Sequence, residues 1–291
     1  MTFDRFARRK LLSRIITVVT GLTILAVLYP LVSIIYTAVI NGGTVLFQAG
    51  FLTSGAPTAC DVFSCATVGI GQAIQGSAIL VSFASAISVP VGVMAAIFAS
   101  EYRARGVGRV VSFTADVLTG VPSIIMGAFV YAYFVLEDPS VAVSVLAGGL
   151  ALAALMIPII TRTTEEALRT VPNSVREAAL ALGISKWKYT LRIVVIAALP
   201  GIVTGVLLGV MRATGDAAAL LFMGSAFGWF KGFGFPVQAL PLQIYLYSLS
   251  PYSNWIKVAW GMTLFLLAAV LIVNVLMRYV THRMSQRMKG G

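Results

Sequence analysis

Apolar stretches of roughly 18 residues or more, each long enough to cross a hydrocarbon core of about 30 Å, recur from one end of this chain to the other. Inside lipid every backbone N–H and C=O must find a partner within the protein, which leaves helices or a closed barrel. The alternating pattern of a membrane β-barrel is absent. The chain therefore reads as an all-α integral membrane protein. Its mean hydropathy of +0.94 and 11% charged residues, against about 25% in soluble domains, exclude an ordinary water-soluble fold.

Six spans are predicted: Ile15–Ile40, Ser77–Ser100, Val110–Val135, Ser140–Ile160, Ile193–Phe222 and Ile256–Val280. They leave a tail at 1–14, a loop at 41–76, a five-span core at 77–280 and a second tail at 281–291. With that arrangement the basic residues sort themselves. Of the 21, all but Arg212, Lys231 and Lys257 fall on one side, in groups at Arg5 to Arg14, Arg103 to Arg109, Arg162 to Arg192 and Arg278 to Lys289. The positive-inside rule makes that side cytoplasmic and places both termini in the cytoplasm of a multi-pass cell-membrane protein. The net charge of +11 is thus a topology signal, and nucleic acid is not an expected partner.

The first apolar run is too long for a signal-peptide core and lacks a clear small-x-small cleavage site, so the first span is expected to be retained. Two cysteines, Cys60 and Cys65, cannot build a disulfide framework; one local bridge is open to them if their loop faces an oxidising compartment. No His, Cys and carboxylate cluster has metal-site spacing, and the lone His282 reads as a solvated tail residue. In the third outer loop, ALPLQIYLYSL reads as a helix at the outer surface, with Trp229, Phe230, Tyr245, Tyr247, Tyr252 and Trp255 suited to an interfacial aromatic belt.

One stretch does not fit an oily chain. Residues 165–188 read EEALRTVPNSVREAALALGISKWK, charged, alanine-rich and interrupted by proline. The helix of the fourth span is expected to continue through Leu168 and stop near Pro172. Ser174 has the spacing of an N-cap with Glu177 as its capping-box partner. A short helix from about Val175 to Leu182 then presents Ala178, Ala181 and Leu182 on one face, and Gly183 closes it. A second helix, SKWKYTLR, returns to the bilayer. Helices this short are not stable alone in water, so an exposed position implies docking to a partner.

EAALALG at 177–183, followed by ALPG at 198–201, resembles the EAA loop of ABC-importer permeases. GVPSIIMGAF at 120–129, SVPVGVMAAIFASEY at 88–102, PIITRTTEEALRTVP at 158–172, RATGDAAALLF at 212–222 and ALPLQIY at 239–245 are similar to the phosphate-importer permeases of the PstA type. The resemblance runs from about Arg8 to Met277. Ile196 stands where many relatives carry a proline, and Asp216 where they usually carry Glu. It implies a type I ABC-importer permease fold and a role in ATP-driven phosphate import. The implied partners are a PstC-type permease subunit, two PstB-type ATPases and an extracytoplasmic PstS-type phosphate-binding protein. The EAA loop, about 163–192, would couple to the ATPase through Glu177, Ala178, Ala179 and Gly183. No cofactor is expected on this chain: it has no GxxxxGK[ST] loop and no Gly-Lys pair, so ATP and Mg would belong to the partner ATPase, and the chain itself is not an enzyme.

Ionisable side chains inside a span are costly and mark pathways or internal pairs. Asp116 is expected near the inner headgroups or paired with a cytoplasmic-side arginine. Arg212 and Asp216, four residues apart, are expected on one helix face, either as a self-neutralising pair or with Arg212 lining the substrate pathway and Asp216 orienting it. The forked donors of a guanidinium suit an oxyanion. Small residues in ASAIS, GVPSIIMG and GIVTGVLLG permit close helix packing, and Pro90, Pro122 and Pro200 mark kinks. The competing readings are a permease for molybdate or sulfate, a secondary transporter with inverted repeats, and a membrane scaffold.

Overall fold

The computed structural model describes residues 2–55, 69–102, 106–137, 144–223, 229–235 and 237–289, and every regular element among them is helical. Helix α1 spans Thr2–Leu46, α2 Gly71–Glu101, α3 Val107–Thr119, α4 Ser123–Val130 and α5 Val145–Arg169. Then come α6, Asn173–Ala181; α7, Lys186–Tyr189; α8, Val195–Thr214; α9, Leu240–Ser248; and α10, Ser253–Lys289. A π-helical turn, Thr190–Val194, joins α7 to α8, so that Lys186–Thr214 forms one long apolar unit. Five units are long and apolar enough to cross a bilayer, and α3 with α4 makes a sixth when the pair is taken as one broken span.

That break falls at Pro122, where a kink was expected within the third span, Val110–Val135, but it is sharper than a kink. α3 and α4 meet at 103°. The cause is Gly120-Val121-Pro122. A residue before proline is pushed out of helical backbone, and proline has no N–H to continue the ladder. Pro122 instead takes extended backbone, ψ 137°, and serves as the N-cap of α4. The fifth span is also shorter than expected. It ends at Thr214, and Ala218–Met223 form a separate 3-10 helix. Pro90 and Pro200 lie inside continuous helices.

α5 sits at the centre, buried along most of its length between α2, α8, α3 and α4. Lipid tails are as apolar as Leu, so helices here must associate by close packing rather than by the hydrophobic effect. α8 lays Gly201, Gly205 and Gly209 along α5. A Cβ on Gly205 would stand 2.3 Å from Thr163 Oγ1, and one on Gly209 would stand 2.9 Å from Ile160 Cγ1. From the other side α2 brings Gly92, whose Cβ would be 2.8 Å from Ile160 Cγ2. Ile160 is therefore held between two glycines. Gly205→Val should lower the thermal stability of the detergent-purified protein by about 1–3 kcal/mol, the usual cost of overfilling a packed core. An unchanged unfolding temperature would contradict this packing.

α1 stands apart from the core. Its apolar side chains from Leu11 to Ile35 are exposed, and only near its far end does it pack on α10, where a Cβ on Gly42 would lie 2.4 Å from Trp260 O. α9 is helical as expected, with Tyr245, Leu246 and Ser248 exposed and its other face buried. Leu240 and Tyr247 pack with Ile70 and Ala73 near the start of α2 and with Val258 and Met262 of α10, and Gln243 is buried beside them.

Candidate functional site

The basic end of the molecule carries the soluble-looking stretch as a two-helix knob. α5 runs on to Arg169, the chain turns at Val171-Pro172, and α6 begins at Asn173. The expected capping box between Ser174 and Glu177 does not form. Pro172 occupies the N-cap, no side chain caps the helix, and Ser174 falls inside the first turn. The entry is organised by Arg176 instead. Its Nη1 donates to Val171 O at 2.8 Å and to Asn173 Oδ1 at 3.2 Å, and its Nη2 donates to Leu168 O at 2.9 Å.

The exit of α6 follows from one glycine. Gly183 has φ +74°, a left-handed backbone that costs residues with a Cβ about 1 kcal/mol or more. Its N–H donates to Leu180 O at 2.9 Å, and the N–H of Ile184 donates to Ala179 O at 3.1 Å. This is the Schellman arrangement, completed by Ile184 packing in the same apolar cluster as Ala179. Ala179 is thus the anchor of α6, buried against Leu168, Val171 and Tyr189. Glu177, Ala178, Ala181 and Gly183 are exposed, as are Leu180 and Trp187, and Leu182 is 80% exposed. Of the four residues singled out in the EAA stretch, three therefore face outward and Ala179 faces in.

Two buried carboxylates hold the knob's base together. Glu101, the last residue of α2, accepts from Arg176 Nε at 3.3 Å and from Tyr189 OH at 3.4 Å, while its carbonyl accepts from Lys186 Nζ. Glu165 is fully buried in α5. It accepts from Ser112 Oγ of α3 at 2.6 Å, from Arg162 Nη1 at 3.3 Å and from Arg169 Nη2. Arg162 also pairs with Asp116 at 3.0 Å and with Glu166 at 3.3 Å. Asp116 thus takes the arginine partner that was expected of it. Glu165 and the Glu101–Arg176 pair were not singled out from the sequence. Arg176 directly precedes the EAA triplet, but nothing in the linear order ties it to a residue 75 positions away.

Arg212 and Asp216 do not share a helix face, and they form no ion pair among the described residues. Arg212 is exposed on the last turn of α8, whereas Asp216 lies beyond Gly215, the C-cap. The Asp216 carboxylate caps the 3-10 helix, its Oδ1 accepting from Ala219 N at 2.9 Å. That short helix packs on α4 so tightly that a Cβ on Gly127 would stand 2.2 Å from Ala219 O. Cys60, Cys65 and the side chain of His282 lie outside the described residues.

Residues 88–289 match the family described as "Binding-protein-dependent transport system inner membrane component". The phosphate transport system permease protein PstA of Yersinia pestis is 36% identical over 277 residues, covering 94% of this chain and 91% of that protein. The chain belongs to the PstA-type permease family. PstA of Xylella fastidiosa (strain Temecula1) is 40% identical over 210 residues, 71% of this chain and 72% of its own length. The fold is that of ABC-importer permeases: an inward-facing MetNI methionine ABC transporter structure superposes with TM-score 0.60 at 18% identity, over 74% of this chain and 95% of that one. A second MetNI crystal form gives 0.58 over the same share of this chain. The knob carries the stretch that resembles the EAA loop, and it projects from the basic end of the helix bundle.

Proposed function

We propose that this chain is one permease half of an ATP-driven importer of inorganic phosphate. Its membrane helices form part of the gate, and its knob receives the mechanical input. The observation that carries the reading is the knob. It is a polar two-helix unit, rigidly anchored through Ala179, Arg176 and the Gly183 turn, that leaves Glu177, Ala178, Ala181 and Leu182 facing outward. The distribution of basic residues supports a cytoplasmic position for the knob and both termini, where an ATPase can reach it. The chain carries no P-loop sequence, so ATP and Mg bind the partner ATPase, and this subunit performs no bond-making chemistry.

The full assembly would pair this chain with a PstC-type permease subunit above two PstB-type ATPases. A PstS-type protein would deliver phosphate from the other face. ATP drives the cycle only if it binds the two conformations with different affinity. Glu177, Ala178, Ala179 and Gly183 pass that difference into the membrane. Arg212, an exposed cation near the far end of α8 with no acidic partner among the described residues, offers forked donors to the passing oxyanion. The relatives' names favour phosphate over other oxyanions. The test is ATP hydrolysis by the reconstituted assembly against a panel of loaded binding proteins. Stimulation by the phosphate-loaded form alone is expected; equal stimulation by a sulfate- or molybdate-loaded protein would overturn the substrate assignment.

A further inference from the structure

Helix α2 is tied by polar contacts at both ends and packs on small residues between. At the basic end Glu101, its side chain 5% exposed, receives Arg176 of α6 and Tyr189 of α7, while Lys186 of α7 holds its carbonyl. Both helices of the knob are thereby fastened to α2. At the opposite end Gln75 Oε1 accepts from Phe230 N at 3.1 Å and Ser77 Oγ accepts from Leu240 N at 2.7 Å. Between these two contacts Gly76 lies against backbone, its absent Cβ only 1.9 Å from Gln238 O. Along the middle, α2 buries Leu80, Ala84, Ser88, Gly92, Ala96 and Ala99, and it interlocks with α5, where Ile160 seats against Gly92 and Phe83 lies against Gly149.

Through the chain the knob is joined to α5 at Thr170–Pro172 and to α8 by the π-helical turn Thr190–Val194. A further attachment, to the end of α2, makes any displacement of the knob also a push or tilt of a helix about 46 Å long, from 31 residues at a rise of about 1.5 Å each. Closely packed helices shift past one another by small sliding movements. We infer that α2 is the rod that carries displacement of the knob to Phe230 and Leu240 at the opposite end, with Arg176–Glu101 as its joint. Arg176 is a positioning residue in this scheme. Its Nε binds α2, and its other donors are committed to Leu168, Val171 and Asn173, so it moves with the knob. The inference rests on the proposed docking of the knob to an ATPase.

The test uses the complete assembly with its binding protein in proteoliposomes. Arg176→Ala, Arg176→Lys, Glu101→Gln and the Arg176→Ala/Glu101→Gln double variant are compared for ATPase retention, ATP hydrolysis and phosphate uptake per ATP. Each single variant should keep the ATPase and still hydrolyse ATP. Uptake per ATP, and stimulation of hydrolysis by loaded binding protein at the far face, should fall about tenfold, within the usual range of coupling between sites. Arg176→Lys should lose less than Arg176→Ala. The double variant should be no worse than the poorer single one, because both break one contact. Unchanged uptake per ATP in Arg176→Ala would overturn the rod. So would loss of the ATPase from every variant, which would make the contact merely structural. Failure of the wild-type chain to retain the ATPase would instead overturn the docking reading beneath it.

Discussion

Arg212→Ala is expected to abolish phosphate uptake by the reconstituted importer while the complex still assembles. The expected loss is roughly 100-fold or more, the worth of two charge-assisted hydrogen bonds to an oxyanion. Arg212 ends α8, is exposed in this subunit and has no acidic partner among the described residues, so its removal leaves no carboxylate stranded. The loss should therefore appear in transport and not in folding. Arg212→Lys keeps the charge but not the planar fork, and should recover only part of the rate. Undiminished uptake by Arg212→Ala would remove this residue from the pathway.

The largest expected effect on stability is at Glu165. Its carboxylate is 0% exposed and joins Ser112 of α3 to Arg162 and Arg169 of α5. Removing one member of a buried ion pair costs about 3–5 kcal/mol, and here Arg169 loses its carboxylate while Arg162 keeps Asp116 and Glu166. Both arginines are about a third exposed, and water relieves part of that cost. Glu165→Ala should therefore destabilise the purified protein by about 3 kcal/mol, at the lower end of that range. Glu166 makes an internal control. It pairs with the same Arg162 but is 61% exposed, and exposed pairs are worth about 1 kcal/mol or less. Thermal unfolding of the two alanine variants decides the matter: equal shifts would mean that Glu165 is not the buried centre of the cluster.

These two adjacent glutamates show how far the sequence could be read. Both belong to the same polar stretch, and helical spacing places both near arginines, yet only tertiary packing turns one inward. Local chemistry was legible. Apolar run length gave the spans, Gly183 gave the end of α6, and the small residues of GIVTGVLLG gave the close approach of α8 to α5. At Gly120-Val121-Pro122 the proline made a kink legible, though not its 103° angle. Helical continuity was carried too far past Gly215, because residues 217–222 are apolar whereas α8 ends at the Gly215 C-cap. The same error placed Asp216 on one face with Arg212, when its carboxylate is spent on capping a new turn. The capping box at Ser174 was a correct spacing overridden by a competitor, because Pro172 and the Arg176 guanidinium already define the start of α6. Contacts such as Arg176 with Glu101 leave no local trace.

Coupling requires that the knob point into the cytoplasm and touch the ATPase. A photo-cross-linking residue placed at Leu182, the most exposed apolar position of α6, addresses this directly in whole cells expressing the full transporter. The expected product is a covalent adduct with the ATPase subunit. Cross-links to the extracytoplasmic binding protein, or labelling of this position by an impermeant reagent from outside the cell, would contradict the account.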